Sequence, residues 1–183
     1  PVWATLLATF LKNRGCFVEI LDAEAEFLSH DRAALRITEI NPLLAVFMIY
    51  GQQPSASTQS MPAGRELCQL VDESGLGIKT VCLGTHPSAL PKRTLREEPY
   101  DFVCEGEGPV TIFELLKVIK AGTEQYEKVP GLWYEQGGVV GFGPKAELIQ
   151  DLDRELGGQA WELLDMSHYR AHNWHCFDSI NDR

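Results

Sequence analysis

Four short apolar segments, separated by stretches with helical periodicity, constrain this chain more than any other feature. They read CFVEILD at 16–22, LLAVFMIY at 43–50, IKTVCLG at 78–84 and DFVCE at 101–105. Continuous apolar runs of this length are typical of strands that are buried on both faces of a parallel sheet. The intervening periodicity predicts helices near 2–14, 31–40, 60–74, 87–96 and 109–121. The alternation of the two patterns predicts an α/β fold.

The fold class predicted is a Rossmann-like or flavodoxin-like doubly wound parallel sheet. Because the sequence opens on a helical pattern, we expect a first strand to precede residue 1 and to lie at the centre of the sheet. Residues 1–128 form the predicted Rossmann-like domain. In the remaining segment, 129–183, GLWYEQGGVVGF at 131–142 places strand-forming residues on both sides of Gly137 and Gly138, which predicts a β-hairpin followed by a linker.

Composition narrows the classes of function. The chain carries 26 acidic against 16 basic residues, a net charge of −10, and it has no basic run, which argues against a nucleic-acid partner. No apolar stretch has membrane-spanning length and no signal-type leader is apparent, so we expect no membrane partner and a cytoplasmic location. The five cysteines form no CxxC pair, and four of them lie in or beside apolar runs, as buried reduced thiols do.

The loops that follow the strands are the candidate ligand site, because ligands of open α/β sheets bind beyond the carboxyl ends of the strands. Three of these loops read GQQPSASTQS at 51–60, GTHPSA at 84–89 and EGEGP at 105–109. The first offers several hydroxyl groups ahead of a helix whose first turn we expect to hold Pro62. Ordinary helix capping is the alternative explanation for that loop. A tight turn with glutamates at a helix N-terminus is the alternative for the third.

The order and spacing of five segments resemble a known family. The segments are LKNRGCFVEILDA at 11–23, GTHPSALP at 84–91, PYDFVCEGEG at 99–108, VPGLWYEQGGVV at 129–140 and LIQDLD at 148–153. Together they look like the N-terminal cobalamin-binding domain and linker of cobalamin-dependent radical S-adenosylmethionine enzymes. The resemblance implies cobalamin as the cofactor. It also implies a partner barrel, outside this sequence, that carries S-adenosylmethionine and an iron–sulfur cluster on a CxxxCxxC motif. That motif is absent here, so we expect a cofactor module with no catalytic residues of its own.

The resemblance places the cofactor contacts on the three loops. The implied contact residues are Gln53, Ser55, Ser57, Thr58, Gly84, Thr85, His86, Glu105, Gly106, Glu107 and Gly108. Thr85 departs from the family, which commonly has glycine there, and Pro109 replaces the last glutamate of a GEGE turn. The resemblance puts His86, in the loop after the apolar run at 78–84, near the nucleotide tail of cobalamin. The DxHxxG motif that supplies a cobalt-binding histidine in such proteins is absent from this sequence, so we do not expect His86 to ligate cobalt. Without a first strand, we expect the chain to bind cobalamin weakly.

Two other interpretations remain open. The chain could be a stand-alone flavodoxin-like domain that binds FMN or a protein partner. The spacing of His168, His172, His175 and Cys176 could also place several metal ligands on one side of a helix, although helical periodicity there is weak and we expect no metal site.

Overall fold

A computed structural model describes residues 1–51 and 53–169 of the chain. The helices and strands run in the order α1 Val2–Lys12, α2 His30–Ile40, β1 Leu44–Ile49, α3 Pro54–Glu73, β2 Lys79–Gly84, α4 Thr85–Ala89, α5 Pro91–Glu97, β3 Phe102–Cys104, α6 Pro109–Lys120, β4 Leu132–Gln136, β5 Val139–Phe142 and α7 Leu152–Leu156. Three single-turn 3-10 helices lie at Tyr126–Lys128, Trp161–Leu163 and Met166–His168.

The sheet has five strands in the order β1-β2-β3-β4-β5. The first three strands are parallel, and β4 and β5 add to β3 as an antiparallel hairpin. The predicted α/β fold class is therefore confirmed. The predicted hairpin is also present, and Gly137 and Gly138 form its turn with φ values of 59° and 78°, left-handed angles that glycine adopts without steric cost.

Helices cover both faces of the parallel strands. Along β1, Leu44 and alternate residues after it contact one hydrophobic cluster, whereas Ala45, Phe47 and Ile49 contact the other. The first cluster contains Leu7, Phe10 and Leu11 of α1 together with Ile112 and Leu115 of α6. The second contains Ala34 of α2 with Met61, Cys68 and Val71 of α3. Burial on both faces explains why the strands read as continuous apolar runs.

The prediction of a strand at 16–22 is wrong. Half-buried and exposed residues alternate along the start of this segment, as they do in a strand: Cys16 and Val18 pack against the core, and Phe17 is 89% exposed. However, the segment has no ladder partner among the described residues. A strand exists only when its backbone N–H and C=O groups pair with a neighbouring strand. Within the described part of the chain, β1 pairs with β2 alone.

Two helix boundaries differ from the sequence prediction. Helix α3 begins at Pro54 and not near residue 60, so Pro54 occupies the first turn and Pro62 lies inside the helix. The single helix predicted at 87–96 is two short helices, because Leu90 leaves helical geometry at φ −133° before Pro91 starts α5. Proline disfavours helical geometry in the residue before it, which accounts for the break at Leu90.

Within the described residues, no helix combines the length and apolar character needed to cross a membrane.

Candidate cofactor site at the carboxyl ends of the strands

The loops after β1 and β2 are joined by a buried serine. The hydroxyl of Ser57, in the first turns of α3, donates a hydrogen bond to the carbonyl oxygen of Ile49 and accepts one of 3.0 Å from the backbone N–H of His86. Ser57 has 0% of its surface exposed. It therefore fixes the start of α3 against the end of β1 and against the loop that carries His86.

A second hydrogen bond joins the same two loops at the surface. Thr58 Oγ1 lies 2.9 Å from Nδ1 of His86, whose side chain is half-buried. Because Nδ1 is engaged by Thr58, Nε2 is the ring nitrogen that would meet a ligand. The remaining predicted residues of this loop, Gln53 and Ser55, are both exposed at the N-terminus of α3.

Gly84 makes the close approach between β1 and β2 possible. It is the last residue of β2, has φ 153°, and is buried against Ile49. A Cβ atom at this position would overlap the carbonyl oxygen and carbon of Ile49. Thr85 follows as the first residue of α4 and is exposed, so its side chain is directed away from this contact.

The turn after β3 uses two glycines for different reasons. Gly108, the N-cap of α6, has φ 99°, and a Cβ atom there would lie 2.8 Å from Cδ1 of Leu83. Gly106 has φ 103°, but a Cβ atom there would meet nothing within 4 Å. At position 106 only the backbone angle favours glycine, and the space beside the residue is open. At position 108 the close approach of Leu83 favours glycine as well.

Both glutamates of this turn contact the C-terminal part of the chain. Glu105 Oε2 accepts a 2.7 Å hydrogen bond from Nε1 of Trp133 on β4, and Glu107 Oε2 accepts one of 2.8 Å from the backbone N–H of Ile149. A carboxylate has about four acceptor positions, so these contacts leave each group able to accept further hydrogen bonds. The turn therefore connects the strand edge to the hairpin and to the segment after it.

Sequence reasoning missed three residues of this site. Ser88 Oγ accepts a 3.1 Å hydrogen bond from the backbone N–H of Gly106, and it ties the second loop to the third. Trp133 and Ile149 are the partners of the two glutamates. Ser88 lies within the quoted GTHPSA loop, and its hydroxyl was the available signal; no local pattern pointed to the other two.

The thiols near the site are buried and protonated. Burial raises the pKa of Cys104, at the end of β3, to about 12. Burial also raises the pKa of Cys82 on β2 above its ordinary range. Neither thiol is available as a thiolate nucleophile or metal ligand at neutral pH.

No cluster of three or more His, Cys, Asp or Glu side chains suited to a metal ion occurs in residues 1–51 and 53–169. His168 is exposed and lies 3.5 Å from Asp165. The other members of the proposed histidine and cysteine set, His172, His175 and Cys176, fall outside the described residues.

Comparison with known proteins identifies the family. The sequence profile of the B12 binding domain matches residues 1–116, so the chain belongs to the B12-binding domain family. This family match supports cobalamin as the cofactor and gives no support to the FMN alternative. No curated protein matches the chain.

Solved structures with the same fold are cobalamin-dependent or radical S-adenosylmethionine enzymes. The radical S-adenosylmethionine methyltransferase TsrM from Kitasatospora setae, with tryptophan substrate and a SAM analog bound, matches at 20% identity and TM-score 0.68, over 80% of this chain and 28% of that one. TsrM with cobalamin and a [4Fe-4S] cluster gives a TM-score of 0.66 at 20% identity over 82% of this chain and 28% of that one. The cobalamin-dependent S-adenosylmethionine radical enzyme OxsB, with aqua-cobalamin and S-adenosylmethionine, matches at 17% identity and TM-score 0.60, over 79% of this chain and 19% of that one. The chain thus resembles the cobalamin module of such enzymes and spans less than a third of their length.

Proposed function

We propose that this chain is the cobalamin-binding module of a radical S-adenosylmethionine enzyme, and that the cofactor lies over the carboxyl ends of β1, β2 and β3. The observation that carries the proposal is the match of residues 1–116 to the B12 binding domain. The hydrogen bonds that join the three loops support its placement, since Ser57 ties the first loop to the second and Ser88 ties the second to the third.

The donor and acceptor groups of the loops fit cobalamin. The cofactor carries amide side chains around the corrin ring and a nucleotide tail, so it needs hydroxyl, imidazole and carboxylate partners together with backbone that allows close approach. Bound cobalamin supplies a cobalt centre that can carry an alkyl group.

Each predicted contact residue has a proposed task. Gln53, Ser55, Thr58, Thr85 and His86 would bind polar groups of the cofactor, and Ser57 and Gly84 would hold the loops in place because both are buried against Ile49. Gly106, with open space beside it, would admit the cofactor, and Gly108 would shape the same turn. Glu105 and Glu107 would accept hydrogen bonds from corrin amide groups while they retain their contacts to Trp133 and Ile149.

We extend the proposal to the domain organisation. Residues 1–128 would form the cobalamin-binding domain, and residues 129–183 would form the hairpin and linker toward a barrel that binds an iron–sulfur cluster and S-adenosylmethionine. The location would be cytoplasmic, in keeping with three buried thiols, Cys68, Cys82 and Cys104. The acidic charge of the chain disfavours a nucleic-acid partner.

Titration with aquacobalamin tests the cofactor assignment. Equilibrium dialysis, with the corrin absorbance as readout and FMN as the competing chromophore, should give weak but saturable binding of the corrinoid and none of the flavin. Saturable FMN binding with no corrinoid binding would overturn the proposal. The absence of both would favour a protein-interaction domain instead.

A separate experiment tests the division of labour. With a strong reductant and S-adenosylmethionine, the purified chain should give no reductive cleavage, because its sequence lacks the CxxxCxxC ligand set. Cleavage above the level of a protein-free control would show that the chain is catalytic by itself.

A further inference from the structure

Two aromatic rings stack at the same edge of the sheet as the three loops. The rings of Trp3 and Tyr50 have centroids 5.6 Å apart and planes inclined by 25°. Tyr50 directly follows Ile49, the last residue of β1, and Trp3 lies in the first turn of α1. The pair therefore sits at the carboxyl end of β1, on the side that α1 covers.

The two rings differ in exposure. Trp3 is 57% exposed, and the neighbouring Val2 is 48% exposed. Tyr50 is half-buried and contacts the hydrophobic cluster between the sheet and α1 and α6. A single exposed apolar residue is ordinary in proteins. Here, however, a half-buried phenol ring packs against the exposed indole, so the pair presents a flat aromatic surface.

The chemistry of Tyr50 is that of a neutral ring. Burial is the main cause that raises the pKa of its phenol to about 12, and the carboxylate of Glu107 acts in the same direction. At neutral pH the side chain is therefore an uncharged phenol and not an anion. Ile49 lies opposite Gly84 in the β1–β2 ladder, so Tyr50, the next residue, lies beside the loop after β2. The aromatic pair therefore continues the row of loops described above.

We infer that Trp3 and Tyr50 form a stacking surface for the corrin ring of cobalamin, separate from the polar loops that would hold its amide groups and nucleotide tail. The inference rests on the proposed function. A conjugated macrocycle is a suitable occupant because aromatic side chains gain most from flat, polarisable partners, and a pre-ordered ring loses little conformational freedom on binding. The loops around Ser57 and His86 present hydroxyl and imidazole groups, whereas Trp3 presents none.

Comparison of two corrinoids separates ring contacts from tail contacts. Cobinamide has the corrin ring but lacks the nucleotide tail of cobalamin. We expect Trp3→Leu to weaken the binding of both ligands by a similar factor, roughly five- to tenfold, the scale of one aromatic contact. Trp3→Phe keeps a flat ring, so its loss of affinity should be less than half of the loss in Trp3→Leu. The affinities are measured by equilibrium dialysis with the purified protein.

The controls are a matched tryptophan and a tail-side residue. Trp161→Leu, at a 42% exposed tryptophan next to Ala160, whose backbone N–H donates to the carbonyl of Thr5 in α1, should change neither affinity. His86→Ala should weaken cobalamin but leave cobinamide unchanged. Thermal unfolding checks that Trp3→Leu is folded, as expected for so exposed a side chain.

Each outcome decides between the two proposals. If wild-type protein binds both corrinoids and Trp3→Leu binds them equally well, the stacking surface is wrong and the cofactor assignment stands. Equal losses for Trp3→Leu and Trp3→Phe would also overturn the stacking surface, because an aromatic ring would then have no advantage. If the wild-type protein binds neither corrinoid, the proposed function falls and this inference falls with it.

Discussion

The buried hydroxyl of Ser57 accepts a 3.0 Å hydrogen bond from the backbone N–H of His86, although the two residues are 29 positions apart along the chain. Ser57 also donates to Ile49 at the end of β1. One side chain thus holds together the end of a strand, the start of a helix and the loop of the neighbouring strand. The geometry of the cofactor edge depends on this junction.

Removal of the Ser57 hydroxyl should destabilise the protein. In Ser57→Ala the N–H of His86 and the carbonyl of Ile49 lose a partner at a site with no exposed surface, which should cost about 2–3 kcal/mol of unfolding free energy. Ser60→Ala is the matched control on the same helix, because among the described residues its hydroxyl bonds the carbonyl of Ala56, within the helix, and no neighbouring loop. Urea denaturation should show a change below about 0.5 kcal/mol for the control. Equal effects of the two substitutions would contradict the junction role of Ser57.

A methyl group at position 84 should disrupt the strand edge. In Gly84→Ala the new Cβ atom overlaps the backbone of Ile49, and φ 153° is unfavourable for alanine, so we expect a loss of about 2–4 kcal/mol. Gly106 also has a positive φ, 103°, but open space surrounds the position of its Cβ atom. In Gly106→Ala only the unfavourable backbone angle therefore contributes, and we expect a loss of about 1–2 kcal/mol of unfolding free energy. Thermal unfolding of both variants compares them. A smaller loss at position 84 than at position 106 would refute the packing argument.

Substitution of His86 should weaken cobalamin binding without a change at cobalt. We expect His86→Ala to lose about 1–2 kcal/mol of binding free energy, the scale of one hydrogen bond. Thr58→Val, which removes the partner of Nδ1, should produce part of the same loss, and the double variant should lose less than the sum of the two. The visible spectrum of bound cobalamin should be the same in all variants. A spectral shift in His86→Ala would show that His86 ligates cobalt.

The contact between Glu105 and Trp133 should couple the cofactor turn to the hairpin. In a double-mutant cycle with Glu105→Gln and Trp133→Phe, the unfolding free energies should show a coupling of about 0.5–1 kcal/mol. We expect this modest value because the contact is at the surface. Glu124→Gln, which alters a surface contact to Gln136 on the same hairpin, should show no coupling to Trp133→Phe. Additive effects of Glu105→Gln and Trp133→Phe would indicate that the hydrogen bond contributes nothing.

Stability should fall in alkaline solution. Burial raises the pKa values of Cys68 and Cys104 from 9.0 to about 12 in the folded protein. Because the folded values exceed the unfolded ones, the neutral thiols stabilise the fold fully below pH 9, and that contribution is lost as pH rises toward 12. Between pH 9 and 12, each thiol should lower the unfolding free energy by about 1.4 kcal/mol per pH unit. Urea denaturation between pH 7 and 11 measures the unfolding free energy at each pH. In Cys68→Ala, the decrease of this free energy with pH above pH 9 should be smaller by the contribution of one thiol. A flat profile above pH 9 would be inconsistent with buried thiols.

Much of the fold follows from local patterns in the sequence. The apolar runs at 43–50, 78–84 and 101–105 correspond to the three parallel strands, and Gly137 and Gly138 form the turn of the hairpin. The loops after these strands could be named as the ligand edge because parallel strands end together. Each of these features can be recognised within a short segment of the sequence, because a run of apolar residues predicts a buried strand and a pair of glycines predicts a tight turn.

The tertiary structure decided which groups meet. CFVEILD at 16–22 has the composition of a strand but lacks a ladder partner among the described residues, and strand pairing is a property of two segments and not of one. The sequence showed a serine-rich loop where the protein has the first turns of α3, with Ser57 turned inward to bond Ile49 and His86. Trp3 and Tyr50, 47 positions apart in the sequence numbering, stack only because α1 begins where β1 ends. Hydrogen bonds and ring contacts of this kind act over a few ångströms, so the packing of helices on the sheet, rather than spacing along the chain, determines them.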